Sequence, residues 1–346
     1  MDINGLLTKL TREAGISGFE TDFSKPLRAM LSEYCGEVYT DRSGSVFGLK
    51  RSSSPNAKTV MLDAHLDRIG LMVKDVDENG FVSFTALGGV DERILPASEV
   101  YILGKSCVYG VIGAKPPHLI KKTDKSETEG LHIRDMLIDT GLDSSAAREL
   151  IGVGDPILLR SEYTPLLGSR ACSAALDNRA GIAAVLTLLE RVSDAELPYN
   201  LLISFTSGEE LGLHGAYSAN FDTVPDLAVV IDVTHGTTHD SPKNFTSFPL
   251  GCGAVICRGP NLRGDITDRI IGLAKESEIP YAIEVAAGCS GTNAWAFQIS
   301  RGGIPCALIS IPLRYMHTTV EVIDTNDIAA VGLLLEKIVT GGVDLA

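Results

Sequence analysis

Features that define several protein classes are scarce in this sequence. Aromatic residues make up 6% of its 346 residues, there is one Trp, and 30 basic residues stand against 44 acidic ones. The formal charge of −14 disfavours nucleic acid and anionic membrane as partners, because binding polyphosphate requires clustered Lys and Arg. No apolar run approaches the ~18 residues of a membrane span. We therefore expect no nucleic-acid partner and no membrane partner.

Paired cysteines and a signal peptide are also missing. The seven cysteines form no CxxC pair and stand mostly in apolar runs, which is typical of reduced thiols in a core. The first fifteen residues mix acidic and basic side chains and lack the apolar stretch of a signal peptide. We therefore expect a folded protein of the cytoplasm.

Three common catalytic motifs are absent as well. The sequence contains no GxSxG elbow, no GxxxxGK[ST] loop, and no GxGxxG that opens a helix after a strand. A seryl nucleophile and nucleotide binding are therefore not supported.

The amino-terminal part changes its hydrophobic period along the chain. Residues 2–35 predict two helices, and 38–50 predict a hairpin followed by a buried strand at 59–65. The second helix would carry an apolar face at intervals of four, formed by Phe19, Phe23, Leu27 and Leu31. This order is typical of an α/β domain.

The middle of the chain has a different sequence pattern. Residues 67–163 consist of short β-rich pieces joined by turns, with one helix near Ser144 to Leu150, and predict a small inserted β-barrel. Helices and strands then alternate to the end of the chain. We therefore expect an α/β fold: a catalytic domain of residues 1–66 and 164–346, with a doubly wound mixed sheet flanked by helices, and the insert at 67–163.

Acidic and imidazole side chains follow several of the predicted strands or precede a helix. They are His65, Asp177, Glu209, Glu210, Asp232 and His317. Ligands collect at the carboxyl ends of strands in open α/β sheets, so we expect these groups to lie close together. Taken singly, each has an ordinary structural interpretation, such as a helix cap for Asp177. Their joint occurrence at successive strand ends favours a common site.

This set suits two divalent cations. Three carboxylates and one hydroxide would balance two dications about 3.5–4 Å apart, with one carboxylate bridging them. Mixed His and carboxylate ligands favour Zn²⁺ and also admit Co²⁺ or Mn²⁺. Glu209 would remain available as the general base beside the ligand Glu210. Asp67, two residues after His65, would accept the other imidazole N–H if the strand continues. The five expected ligands are His65, Asp177, Glu210, Asp232 and His317.

Six motifs along the chain resemble those of a known family. They are AHLDRIG at 64–70, GVIGAKPPH at 110–118, ALDNRAG at 175–181, TSGEELGLHGA at 206–216, IDVTH at 231–235 and IPLRYMHTTVE at 311–321. In this order they resemble the tetrahedral, dodecameric aminopeptidases, relatives of glutamyl and deblocking aminopeptidases, some of which carry endoglucanase labels. The resemblance extends over nearly the whole chain.

The resemblance implies more than the spacing does. It implies that Asp177 bridges two metals, that His65 and Asp232 complete one, that Glu210 and His317 complete the other, and that Glu209 is the base. The insert would be a dimerisation domain, and twelve subunits would enclose a hollow tetrahedron that admits only peptides or unfolded chains. The substrates would be peptides with a free amino terminus. Arg68 and Asn293 depart from the family, which commonly has an acidic residue at each position.

Two other classes of function stay open at this point. A glycoside hydrolase would use two carboxylates about 5–9.5 Å apart and no metal. A catalytically silent assembly or peptide-binding protein would keep the fold alone. His235 and His239, which follow Asp232 closely, are secondary ligand candidates, and His118, His132 and His214 are expected to be structural or exposed.

Overall fold

A computed structural model describes residues 1–116, 118, 131–219, 221 and 224–345 of the chain. The chain divides into two compact units. The first contains Met1–Asp67, Glu162–Met316 and Val320–Ala346, and the second contains Arg68–Ser161 and His317–Thr319. Pro117, in the GVIGAKPPH motif, lies outside the described residues.

Strands outnumber α-helices in the part of the chain that the structure describes. The strands are β1 Glu37–Thr40, β2 Val46–Lys50, β3 Thr59–His65, β4 Gly70–Val76, β5 Val82–Leu87, β6 Glu99–Leu103, β7 Cys107–Gly113, β8 Leu137–Asp139, β9 Pro156–Leu159, β10 Thr164–Pro165, β11 Arg170–Ser173, β12 Asn200–Thr206, β13 Leu227–His235, β14 Ala254–Arg258, β15 Tyr281–Val285, β16 Cys306–Leu313 and β17 Glu321–Asp324. The helices are α1 Ile3–Arg12, α2 Thr21–Ser32, α3 Ser144–Leu150, α4 Leu176–Arg191, α5 His214–Ala219, α6 Gly264–Glu276, α7 Asn293–Phe297 and α8 Thr325–Lys337.

The first unit contains a large mixed sheet with the strand order β1-β2-β12-β3-β13-β16-β14-β15. Strands β12, β3, β13 and β16 run parallel, whereas β2 and β14 pair with their neighbours β12 and β16 in antiparallel fashion. The parallel strands are apolar over most of their length because both faces of the sheet are covered. Their carboxyl ends meet at one edge, which is where an open α/β sheet binds ligands.

The two faces of this sheet pack into different cores. In β13, Val229 and Ile231 belong to the larger core, which also contains apolar residues of α4 and α8. Val230 points to the other face, where residues of α5 and α7 form a smaller core. This alternation follows from the two-residue period of a strand.

The first two helices are present, but one residue of the predicted apolar face is not part of it. Phe23, Leu27 and Leu31 of α2 are buried as expected. The prediction for Phe19 is wrong: its amide bonds to the Ile16 carbonyl in a turn before the helix, and its side chain is 40% exposed.

The second unit is a closed barrel with the strand order β4-β5-β8-β7-β6-β9. Along β7, Val108 and Ile112 are buried, whereas Tyr109 and Val111 face outward. Helix α3 begins after Asp143, whose carboxylate accepts a hydrogen bond from the Ala146 amide at 2.9 Å. The predicted combination of a mixed α/β sheet with a small β-barrel is confirmed.

The seven cysteines are all free. Cys35, Cys257 and Cys306 are buried, as their apolar neighbours predict. The expectation of a core position is wrong for the exposed Cys107 and Cys289; Cys107 begins β7 on its outward face. Among the described helices, none has the length and apolar character needed to cross a membrane.

Candidate metal centre

The predicted ligands of the first unit lie where the parallel strands end. His65 is the last residue of β3, and Asp232 lies near the end of β13. Glu209 and Glu210 follow β12 after a short turn, and Asp177 lies at the beginning of α4. The topology therefore brings together side chains that are far apart in sequence.

His65, Asp177 and Asp232 form one compact group, in which the possible ligand atoms all lie within 4.8 Å of one another. The His65 Nε2 atom is 3.0 Å from Asp177 Oδ1 and 3.8 Å from Asp232 Oδ1. The three side chains are only 2–8% exposed. Two carboxylates so deeply buried around one imidazole nitrogen require a positive charge beside them.

Asp177, Glu210 and His317 form a second group, again with ligand atoms within 4.8 Å of one another. His317 lies in the loop between β16 and β17, and Met316 and Val320 on either side of its short segment belong to the first unit. The His317 Nδ1 atom is 3.0 Å from the Gly89 carbonyl oxygen, which leaves Nε2 as the nitrogen that could bind a cation.

The turn that presents Asp177 is a local distortion of α4. Asp177 and Asn178 have non-helical backbone angles, so regular helix begins at Arg179. Asn178 Oδ1 accepts the Gly181 amide at 3.0 Å, so Asn178, not Asp177, caps the regular helix. The Asp177 carboxylate is thereby left for another role.

Two side chains that sequence reasoning missed hold this turn in place. Asn178 Nδ2 donates to the Ile231 carbonyl at 2.8 Å, which ties the turn to β13 beside Asp232. Glu321 Oε2 accepts the Asp177 amide at 3.1 Å, and its side chain is buried. Asn178 lies in the ALDNRAG motif and Glu321 in the IPLRYMHTTVE motif, which was the only sequence signal for a role at the site. Nothing in the spacing of the residues indicated these hydrogen bonds.

Asp67 contacts both His65 and the loop that carries Glu209. Strand β3 ends at His65, and the His65 Nδ1 atom is 3.1 Å from the Asp67 main-chain carbonyl and 3.6 Å from Asp67 Oδ1. The Asp67 carboxylate also accepts the amides of Glu209 at 3.0 Å and Glu210 at 3.1 Å. Burial raises the pKa of Asp67, but the hydrogen bonds and the charge of His65 outweigh it and lower that pKa overall.

The electrostatics of the pocket reflect an excess of negative charge. Burial, reinforced by neighbouring carboxylates, raises the pKa of Glu209 to about 9 against the opposing effect of His65. Burial likewise raises the pKa of Asp232 to about 7. Burial alone would lower the pKa of His65, but its hydrogen bonds to Asp177 and Asp67 hold it well above the usual value. Cations in the pocket would stabilise the ionised carboxylates.

The remaining histidines lie elsewhere. His118, His214, His235 and His239 are exposed, and the His235 ring packs against the edge of Phe245. His132 Nδ1 is 2.9 Å from Glu92 Oε2 in the second unit. Within the part of the chain that the structure describes, none of them belongs to either ligand group.

Comparison with known proteins identifies the family. A model of the M42 glutamyl aminopeptidase family matches residues 44–334. The chain belongs to the M42 glutamyl aminopeptidase family. The lysyl aminopeptidase of Pyrococcus furiosus is 31% identical over 327 residues, which cover 93% of this chain and 92% of that relative. The predicted aminopeptidase class is thus confirmed, and the two groups above are candidates for the metal that M42 peptidases require.

Solved structures of similar proteins extend the match to the fold. A TET aminopeptidase from the archaeon Thaumarchaeota archaeon SCGC AB-539-E09 is 27% identical with a TM-score of 0.92, covering 98% of this chain and 96% of that one. The Pyrococcus horikoshii TET1 peptidase, which can assemble into a tetrahedron or a large octahedral shell, is 27% identical with a TM-score of 0.85 and coverages of 98% and 100%. A Thermotoga maritima protein titled endoglucanase is 27% identical with a TM-score of 0.78 and coverages of 97% and 97%.

Arg68 and Asn293, the two positions where we expected a departure from the family, are both buried. Asn293, 1% exposed, donates from Nδ2 to Asp63 Oδ2 at 2.8 Å and to Thr206 Oγ1 at 2.7 Å. The side chain of Asn293 therefore belongs to the protein interior beneath β3 and β12, and not to a substrate-facing surface. Arg68 is 3% exposed, so it too is buried.

Proposed function

We propose that the chain is a two-metal aminopeptidase that removes residues one at a time from the free amino terminus of peptides. The observation that carries this proposal is that Asp177 belongs to both ligand groups. A shared carboxylate can bridge two divalent cations about 3.5–4 Å apart. His65 and Asp232 would complete the ligands of one cation, and Glu210 and His317 those of the other.

The residues fit such cations chemically. Imidazole nitrogen and carboxylate oxygen are donors that Zn²⁺ accepts, and Co²⁺ or Mn²⁺ accept them as well. Burial, reinforced by the neighbouring carboxylates, raises the pKa of Asp232 and of Glu209, and two dications would favour their ionised forms. When bound, the cations would polarise the scissile carbonyl and lower the pKa of the attacking water.

Glu209 is the general base in this proposal. It belongs to neither ligand group, yet its carboxylate interacts with those of Asp177, Glu210 and Asp232. The positive charge of the cations would lower its pKa, so that it can take a proton from the attacking water and deliver it to the leaving amine. The free α-amine of the substrate would be held at the pocket carboxylates or the cations, which restricts cleavage to the first peptide bond.

The first test is amino-acid release from a panel of free and amino-blocked peptides. We expect release only from free amino termini, loss of activity after chelation, and recovery with Zn²⁺, Co²⁺ or Mn²⁺. The panel would also identify the preferred first residue. The Glu209→Gln variant should keep its metal and lose roughly 10²–10⁴-fold in kcat, since general base catalysis contributes that much.

The same preparation distinguishes the alternatives. A glycoside hydrolase would cleave cello-oligosaccharides with chelator present, and a silent scaffold would cleave neither substrate while staying folded. Wild-type kcat in Glu209→Gln would contradict the assignment of the base even if peptide cleavage is metal-dependent.

We further infer a homo-oligomer, with the inserted barrel as its dimerisation domain. Outward-facing residues of the barrel are apolar and exposed: Tyr109 is 46%, Val111 39% and Leu137 38% exposed. The similar solved structure PhTET1-12s is a dodecamer, which supports twelve subunits of 36.8 kDa here. Sedimentation velocity of the full chain tests this assembly, and a monomer at micromolar concentration would contradict it. The cytoplasmic location stays a prediction.

A further inference from the structure

The loop that carries Glu209 and Glu210 is fixed by four successive backbone amides. The N–H groups of residues 207–210 all donate to side-chain oxygens of other segments. The acceptors are Ser45 Oγ for Ser207 at 3.1 Å, Glu20 Oε1 for Gly208 at 3.0 Å, Asp67 Oδ1 for Glu209 at 3.0 Å and Asp67 Oδ2 for Glu210 at 3.1 Å. These bonds tie the loop to three separate parts of the first unit.

Glu20 is the most distant of these acceptors in sequence. It lies 188 residues before Gly208 and outside residues 44–334, which the family model matches. Its side chain is 5% exposed, and Oε1 also accepts the Gly18 amide at 2.9 Å. Burial raises the pKa of Glu20, although its amide hydrogen bonds oppose this effect. Burying a carboxylate is costly, so its place beneath the loop requires these hydrogen bonds.

An ordinary structural role for Glu20 would be to cap its own helix. Glu20 is the residue that precedes α2, yet its side chain makes no capping hydrogen bond to that helix. The carboxylate turns away from α2 and reaches the amide next to Glu209. Helix capping therefore does not explain its orientation.

We propose that Glu20 is a positioning residue for the reaction: through the Gly208 amide it fixes the backbone that aims the Glu209 carboxylate. The inference rests on the proposed role of Glu209 as the base. Glu20 touches neither substrate nor cation, and its effect is transmitted through one peptide group. Displacement of a catalytic group by about 1 Å can cost on the order of 10²-fold in rate.

Packing around α2 supports the same role for this part of the chain. Phe23, one turn after Glu20, lies under the Arg179 guanidinium at 3.7 Å from its ring centroid. Arg179 Nη1 in turn donates to the Leu66 carbonyl, between His65 and Asp67. The start of α2 is therefore linked both to the loop of Glu209 and to the loop of His65. These contacts hold in place the backbone that carries Glu20.

The test compares Glu20→Ala and Glu20→Gln with the matched control Glu33→Gln, an exposed glutamate just after α2. Glu20→Ala should lower kcat roughly 10- to 100-fold, the range typical of residues that orient an active group, with KM within about threefold and an unchanged metal content. Glu20→Gln retains an oxygen that can accept the Gly208 amide and should recover most of the loss. Glu33→Gln should match the wild type.

Hydrogen exchange of a peptic peptide that contains residues 207–210 gives a second readout, independent of catalysis. Faster exchange of this peptide in Glu20→Ala, reversed in Glu20→Gln, would show that Glu20 holds the loop of Glu209. This result would stand even if the wild type cleaved no peptide, and only the proposed function would then fail. Active wild type together with unchanged exchange and unchanged kcat in Glu20→Ala would overturn the inference. A folded Glu20→Gln as inactive as Glu20→Ala would also overturn it, because charge and not hydrogen bonding would then be responsible.

Discussion

The two ligand groups share Asp177 but are built on different kinds of structure. His65 and Asp232 lie on neighbouring parallel strands of a sheet that is covered on both faces, and their side chains are almost fully buried. Glu210 and His317 lie on loops after β12 and β16 and are half-buried. The first pair is therefore positioned by sheet packing, whereas the second needs local hydrogen bonds.

Those local bonds explain why the loop pair can still form a site. The Glu210 amide is held by Asp67, and the His317 ring is oriented by the Gly89 carbonyl. A Cβ atom at Gly89 would lie 2.8 Å from His317 Nδ1, so only glycine allows this approach. We therefore expect the cation at His65 and Asp232 to bind more tightly than the one at Glu210 and His317.

The largest effect should come from the shared residue. In Asp177→Asn both groups lose a carboxylate, so we expect fewer than one cation per subunit after dialysis and a loss in kcat/KM of at least roughly 10³-fold, about 4 kcal/mol. Metal analysis measures the number of bound cations, and peptide kinetics measure kcat/KM. The exposed Asp194→Asn is the control. Because Asp177 raises the pKa of Asp232 and Glu209, the chelated variant should be at least as stable as chelated wild type. A large loss of stability would instead indicate misfolding.

The sequence predicted the architecture because its signals are local or periodic. The buried strands, the small-residue helix after Asp177 and the β-rich insert each have a characteristic pattern. The candidate ligands could be chosen because the rule that ligands collect at strand ends needs only strand boundaries. His65 and Asp232 come from that rule directly, since parallel strands define both the edge and the face.

The supporting contacts could not be predicted in the same way. Glu20, Glu321 and Gly89 act through single hydrogen bonds between segments about 140 or more residues apart, and no periodic pattern encodes such a pairing. A strand that continued past His65 would place Asp67 on the same face as the imidazole ring, which is why the sequence pairs the two. The strand ends at His65, and the Asp67 carboxylate, 3.6 Å from His65 Nδ1, also accepts the Glu209 amide, a contact that the sequence did not indicate.

A comparison of His65→Ala with His317→Ala tests the difference between the two groups. Each variant should lose one of the two cation sites. We expect His65→Ala to remove the tighter site and His317→Ala to remove the weaker one. Calorimetric titration of the chelated protein should show the surviving site at close to its wild-type affinity in His317→Ala. In His65→Ala, no site should bind within about 100-fold of the tight one, which is about 2.7 kcal/mol. Equal affinities in the two variants would remove the distinction between strand and loop ligands.

The smallest effect concerns stability and pH. In the folded protein without cations, the pKa of Asp232 is about 7 and that of Glu209 is about 9, both above ordinary carboxyl values. Groups with raised pKa values stabilise the fold at pH values below their unfolded pKa, and this contribution is lost as pH rises through the folded pKa. The unfolding free energy of chelated protein should therefore fall between about pH 6 and 9, by up to about 1.4 kcal/mol per pH unit for each proton retained.

Metal-loaded protein should show a shallower fall over the same window, because bound cations keep these carboxyl groups ionised in the folded state. Denaturant titrations at pH 6 and pH 8.5, with and without chelator, measure the difference, and repeating them at two protein concentrations separates it from subunit dissociation. In Glu209→Gln the chelated protein should lose less stability at the alkaline end, where Glu209 still retains its proton. Equal slopes for chelated and loaded protein would mean that the excess charge lies outside the ligand groups. The contrast between buried strand ligands and half-buried loop ligands would then have no electrostatic basis.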